Sequence, residues 1–182
     1  MASFDQVAVS FWHPDVEHLR LPPLTDELVV DAETQLGVPL PPDLIHLLRI
    51  QNGGVIADAW DACPADANFY ADDHVPFEHL YGIGPAGQAD TIALLDTPYL
   101  VQEWELPSPV VLLNGQGHYW LALDYRDCGP AGQPQRRPVG SVDRRSGWLL
   151  PARRSIEGCP AKSDAVAVGW WARRTCASRS SR

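Results

Sequence analysis

The sequence predicts an α+β fold: an N-terminal helical hairpin packed on a mainly antiparallel β-sheet. Three observations lead there. Two short amphipathic stretches, one over 26–36 and one from Pro41-Pro42 to Gln51, each carry their own start and stop signals. A glycine turn, Asn52-Gly53-Gly54, follows the second at once. From 110 to 143 β-rich runs then alternate with turn residues, and helices followed by a run of strands is the α+β pattern.

Taken in order, residues 1–23 read as an N-terminal extension, kept irregular by Pro14, Pro22 and Pro23. Thr25 is an N-cap, and Asp26 and Glu27 occupy the first turn, where the helix dipole favours acids. Leu28, Ala32 and Leu36 then recur on one face until Gly37. Leu40-Pro41-Pro42-Asp43 opens the second helix, since proline at the first helical position has no useful N–H to lose. Leu44, Leu47, Leu48 and Gln51 share its apolar side. Asn52-Gly53-Gly54 adopts left-handed angles cheaply and turns the chain from the hairpin toward the sheet.

Residues 55–80 mix aromatics with acids and show no helical period, so short strands and loops are expected. The stretch 89–100 reads as a short helix ending before Pro98. Residues 110–113 form a strand, Asn114-Gly115 a hairpin turn, and a second strand follows. In that strand Tyr119, Leu121, Leu123 and Tyr125 share one face, and His118, Trp120, Ala122 and Asp124 the other. Residues 130–138 are a polar loop, and 138–143 return as a further strand.

Charge narrows the function classes. The chain carries −9, unevenly spread: residues 151–182 hold seven basic residues against Glu157 and Asp164, or +5, which leaves −14 on residues 1–150. Such a domain repels phosphate backbones, so a basic protein is the expected partner and nucleic acid is not. No apolar run approaches the roughly 20 residues of a membrane helix. The opening MASFDQVAVSFWHPD lacks the basic n-region of a signal peptide, so the cytoplasm is expected. Cysteines stand at 63, 128, 159 and 176 without a CxxC pair, and reduced thiols are expected. His74 and His79 with Cys63 are better read as surface histidines and a small buried thiol than as metal ligands.

Catalytic motifs are missing from the sequence. It contains no GxxxxGK[ST], GxSxG or HExxH, so neither a cofactor nor catalysis is expected. Cys128 sits in a Gly/Pro loop with no neighbour to lower its pKa. His118 and Asp124 share a strand face, but six residues of strand hold them roughly 20 Å apart.

What is abundant is the pairing of carboxylates with aromatic rings. Asp58, Asp61, Asp72, Asp73, Glu78, Glu103 and Glu105 lie among Trp60, Tyr70 and Trp104. Aromatic anchors beside acids suit a surface that grips a basic protein, although any one of these acids taken alone is more simply a solvated side chain.

Leu36-Gly37, Leu40-Pro41, Asn52-Gly53-Gly54 and Gly117-His118-Tyr119-Trp120-Leu121-Ala122-Leu123-Asp124-Tyr125 together resemble the SUKH superfamily, in its Smi/Knr-type branch, over about 24–143. The resemblance implies an α+β fold of antiparallel sheet on helices and a protein-binding role. Bacterial members are mostly immunity proteins against polymorphic or contact-dependent toxins, many of them nucleases, and fungal relatives are scaffolds in cell-wall synthesis. It brings no catalytic set, so Leu36, Gly37, Leu40, Pro41, Asn52, Gly53, Gly54, Leu123 and Asp124 carry over as fold determinants. The domain is placed at 24–150. The basic tail 151–182 departs from the family, which would close with a helix. With thirteen Arg and one Lys in the chain, a GC-rich gene read in a shifted frame is one account. A diverged basic tail with a short helix near 165–174 is the other.

Overall fold

The computed structural model describes residues 4–139, apart from 66, 69, 88–90, 116, 118, 131 and 133; the expectations for 140–143 and for the tail 151–182 lie outside the described residues. Its first element differs from the expected irregular extension. Helix α1 (Phe4–Ser10) buries Val7 and Ala8, and Phe11 beyond it is also in the core. A seven-residue helix has too few turns to be stable alone, so packing makes it, and Asp5 in its first turn adds only a local dipole contribution. Phe4 meets His46 edge-on at 5.3 Å.

Helix α2 (Asp26–Leu36) starts where the Leu28 N–H donates to Thr25 Oγ1 at 3.3 Å, and it ends at Gly37 with φ 69°. Helix α3 (Pro42–Ile50) buries Leu44, Leu47 and Leu48, the face that its spacing predicts. The linker between them is pinned twice. The Leu40 N–H donates to Glu33 Oε1 at 2.7 Å, and the Tyr125 hydroxyl reaches across from the sheet to the Pro39 carbonyl at 2.5 Å.

Three sets of antiparallel strands follow. β1 (Gly54–Val55) pairs with β4 (His79–Leu80), and β2 (Ala62–Pro64) with β3 (His74–Pro76). A three-stranded sheet runs in the order β5 (Val110–Gly115), β6 (Trp120–Asp124), β7 (Gln135–Val139). The Tyr81 N–H donates to the Leu113 carbonyl at 2.9 Å, which stitches the chain leaving β4 to the edge of β5. Every residue of β5 and β6 is buried, so both faces of this hairpin are covered, and Leu44, Leu47, Leu48, Leu112, Leu121 and Leu123 share one core.

Three local expectations are corrected. Asn114-Gly115 is not the turn but the end of β5, pairing with Leu121 and Trp120 across a register shift between Leu112 and Asn114. The extra residue of this bulge shifts the register by one, and pairing continues past the Asn-Gly pair. Pro98 does not end a helix: a 3₁₀ turn (Leu94–Asp96) runs into α4 (Thr97–Glu103), and Pro98 lies in its first turn, where a missing N–H costs nothing. The polar loop is also shorter than expected, because β7 begins at Gln135.

Candidate functional site

The ten acidic and aromatic candidates separate into two groups. Asp58, Trp60 and Asp61 follow β1. Trp60 is half-buried against the core, and its Nε1 donates to the Ser10 carbonyl at 3.1 Å and to Ser10 Oγ at 3.2 Å. Its ring therefore docks α1 onto the body of the fold. Asp58 is exposed, while Asp61 is half-buried and its carbonyl accepts from the Phe77 N–H at 2.6 Å.

Of the other seven, Tyr70 and Trp104 lean on Tyr119 and Trp120 of the β5–β6 hairpin, Glu78 acts electrostatically on Tyr119, and Asp72, Asp73, Glu103 and Glu105 are their neighbours in the chain. One part of this site is the loop from β2 to β3, shaped by Asn68. Its Oδ1 accepts from the Tyr70 N–H at 2.8 Å, and its Nδ2 donates to the His74 carbonyl at 2.8 Å. An Asx turn of this kind fixes a loop from inside. The loop presents Tyr70, whose ring meets Tyr119 edge-on at 4.8 Å. Asp72, Asp73 and Glu78 are exposed nearby in sequence, with Asp73 Oδ1 2.8 Å from His74 Nδ1, within hydrogen-bond distance.

The second part is the end of α4. Glu105 takes up a left-handed φ of 51°, and the Leu106 N–H returns to the Val101 carbonyl at 2.9 Å, closing the helix as glycine usually does. That closure sets Trp104 against Trp120, with ring centroids 6.1 Å apart. Gly117, at φ 85°, lies under the Trp104 ring: a Cβ there would sit 2.8 Å from its Cη2. Glu103 and Glu105 flank Trp104 and are exposed.

Tyr119 and Trp120 are neighbours at the start of β6, so their side chains leave on opposite faces. Tyr70 and Trp104 accordingly flank the hairpin end from its two sides. Tyr119, Trp120 and Gly117, which were read as a strand and a motif, are the platform on which the exposed rings rest. Their sequence signal is two adjacent aromatics, one bound for each face.

The electrostatics follow from burial beside carboxylates. Burial pushes the Tyr119 phenol up to about 12, with Glu78 and Tyr70 acting in the same direction. Tyr81, whose hydroxyl donates to the Gly115 carbonyl at 2.8 Å, is raised further by burial. Burial lowers His79, against the pull of Glu78. Among the described residues, no three His, Cys, Asp or Glu side chains converge as metal ligands would. The Cys128 thiol lies 3.8 Å from the Tyr125 carbonyl, and His118 lies outside the described residues.

The motif residues sit in the frame of the fold. Asn52 is buried: Nδ2 donates to the Pro22 carbonyl at 2.7 Å and the Ile83 carbonyl at 2.8 Å, and Oδ1 accepts from the Ile83 N–H at 2.8 Å. Leu40 and Leu123 are core, and Leu36 and Pro41 are half-buried beside it. The buried Asp124 carboxylate takes two hydrogen bonds from the Arg126 guanidinium, at 2.9 and 2.7 Å, and shapes the turn after β6. No helix among the described residues is long and apolar enough to cross a membrane.

Compared with protein-family models, the chain matches the SMI1 / KNR4 family (SUKH-1) over residues 23–139. Neither the curated proteins nor the solved structures contain a match to it.

Proposed function

The chain belongs to the SMI1 / KNR4 family (SUKH-1), and from that premise we propose that it is a non-catalytic binding domain of the immunity type, which neutralises a polymorphic or contact-dependent toxin. The partner in this reading is a basic protein, a nuclease domain above all. The observation that carries it is that Tyr70 and Trp104 stand exposed on the β5–β6 hairpin, with the exposed acids Asp72, Asp73, Glu78, Glu103 and Glu105 near them in the chain. Nuclease toxins use positive charge to hold phosphates, so an acidic inhibitor can occupy those same charges. Opposite fields also raise association rates, by roughly 10–1,000-fold at low salt, which suits a protein that must act before damage is done.

The test is co-expression with a toxin encoded beside the gene, followed by binding kinetics at two salt concentrations. Replacing Asp72, Asp73 and Glu78 together by lysine is expected to slow association and flatten its salt dependence while leaving the melt unchanged, because all three side chains are exposed. Full protection by this variant with unchanged association would overturn the acidic face as the binding surface. Wild-type protein that neither binds nor protects against the toxin would overturn the immunity reading, and would favour the family's other role as a scaffold in cell-wall synthesis.

A further inference from the structure

Trp104 and Tyr70 are 40% and 41% exposed, yet neither ring is loose. Each is seated on a buried aromatic of the same hairpin: Trp104 on Trp120, Tyr70 on Tyr119. Each has its own carboxylates, with Glu103 and Glu105 beside Trp104 in the chain and Asp72 and Asp73 just beyond Tyr70. Glu78 lies close enough to Tyr119 to act on its phenol electrostatically. The same hairpin end also holds buried polar atoms that, among the described residues, have no hydrogen-bond partner: the Tyr119 hydroxyl, Trp120 Nε1 and Asn114 Oδ1.

We infer that the β5–β6 hairpin end is a two-faced docking site for arginine side chains of a protein partner, one stacking on Trp104 and one on Tyr70, each guanidinium held by the carboxylates of its own face. This rests on the protein-binding reading above and says which chemistry does the gripping. Arginine fits better than lysine because its planar guanidinium lies flat on a ring while its N–H fork engages a carboxylate. The two rings leave opposite sides of one hairpin, so the partner must straddle it. Losing one ring therefore weakens binding without abolishing it. The Asp58–Trp60–Asp61 group takes no part, since the Trp60 ring is packed against the core and docks α1 through Ser10.

The probe is a deca-arginine peptide titrated against the full chain, read from the indole N–H signals of its seven tryptophans, with Trp104→Phe assigning the relevant signal. A citrulline peptide of the same length keeps the shape and removes the charge, and a deca-lysine peptide keeps the charge and removes the plane. The Trp104 signal is expected to shift with arginine and not with citrulline, and lysine is expected to bind more weakly. Trp104→Ala and Tyr70→Ala should each weaken the arginine peptide about tenfold, and the pair by about the product. Glu103→Gln with Glu105→Gln keeps the ring and should weaken binding alone, which guards against a folding defect in Trp104→Ala. Asp58→Asn and Trp60→Phe should leave binding unchanged. Citrulline binding as tight as arginine, lysine binding as tight as arginine, or arginine binding indifferent to both ring variants, would overturn the assignment. The two readings fail separately. A neighbouring toxin neutralised equally by wild type and by the double ring variant removes the clasp but keeps the immunity role. Peptide binding at Trp104 without neutralisation does the reverse.

Discussion

Asn52-Gly53 and Asn114-Gly115 are the same dipeptide put to opposite uses. At the first, the chain turns: Gly53 has φ 81°, and the buried Asn52 side chain joins three backbone groups from two other segments. At the second, the chain runs on as strand, and Asn114 Nδ2 donates to the His79 carbonyl at 2.6 Å. Gly115 is there for lack of room, since a Cβ would sit 2.2 Å from Trp120 Cε3. Local propensity is identical at the two sites, so the surroundings decide. Asn52 follows a helix that has run out of apolar face, whereas Asn114 ends a run of four buried aliphatics that the sheet has every reason to extend.

The largest effect is expected where the first dipeptide is broken. Asn52→Ala strands the Ile83 carbonyl and N–H in the core and frees the part-buried Pro22 carbonyl, and unsatisfied buried groups cost about 1–3 kcal/mol each. Gly53→Val should be as damaging, because its Cβ would lie 2.6 Å from the Gly82 nitrogen on a left-handed backbone. Denaturant melts of both variants should show little folded protein at 25 °C. A near-native midpoint for Asn52→Ala would mean that the turn alone, without the side-chain bridges, holds this corner.

Gly115→Ala breaks the second dipeptide and should cost less, about 1–3 kcal/mol, the usual cost of overpacking. Its nearest obstacle is the Trp120 ring, with the Tyr119 carbonyl at 2.8 Å behind it, so the ring must move and the backbone beside it must give. Because Trp104 leans on Trp120, the displacement should appear as a changed Trp104 indole signal before any loss of fold. A variant that is as stable as the parent and keeps that signal would show that strand pairing, and not the ring, selects glycine here.

What the sequence made legible follows from the same contrast. Helices α2 and α3, the Thr25 cap and the Gly37 stop are local events, and their residues announce them. Helix α1, the bulge before Asn114 and the role of Pro98 at the start of α4 are set by distant packing, which no window of neighbours contains. The candidate site divides in the same way. The acids and rings were visible as composition, but only the fold separates Trp60, bonded to Ser10, from Trp104, leaning over Gly117.

Alkali offers a milder perturbation, aimed at the second site. The Tyr81 hydroxyl holds the Gly115 carbonyl, and Tyr119 immediately precedes the strand opposite. An unfolded phenol releases its proton near pH 10. Folded Tyr119 keeps its proton up to about 12. In between, the folded state binds more protons than the unfolded one, so stability is fully present below about pH 10 and falls as pH rises above it. Urea midpoints should be level from about pH 8 to 9 and decline beyond about 10, with Tyr119→Phe declining less steeply. A flat profile to pH 11 would mean that these phenols ionise in the folded protein without cost.

The smallest expected effect separates conformation from crowding. Gly37 and Gly53 both have positive φ, 69° and 81°, and both follow a helix. A Cβ added to Gly37 meets nothing within 4 Å, whereas one on Gly53 meets the Gly82 backbone. Gly37→Ala should therefore cost only the left-handed penalty for an L-residue, about 1–2 kcal/mol. Gly37→Asn should recover part of that, because asparagine tolerates this region better. At Gly53 neither alanine nor asparagine can be rescued, since a Cβ of any kind strikes the backbone. A chemical melt of the four variants reads the difference directly. If Asn is no better than Ala at position 37, left-handed strain is not what Gly37 relieves; if Asn rescues position 53, the close approach of Gly82 is not what excludes a side chain there.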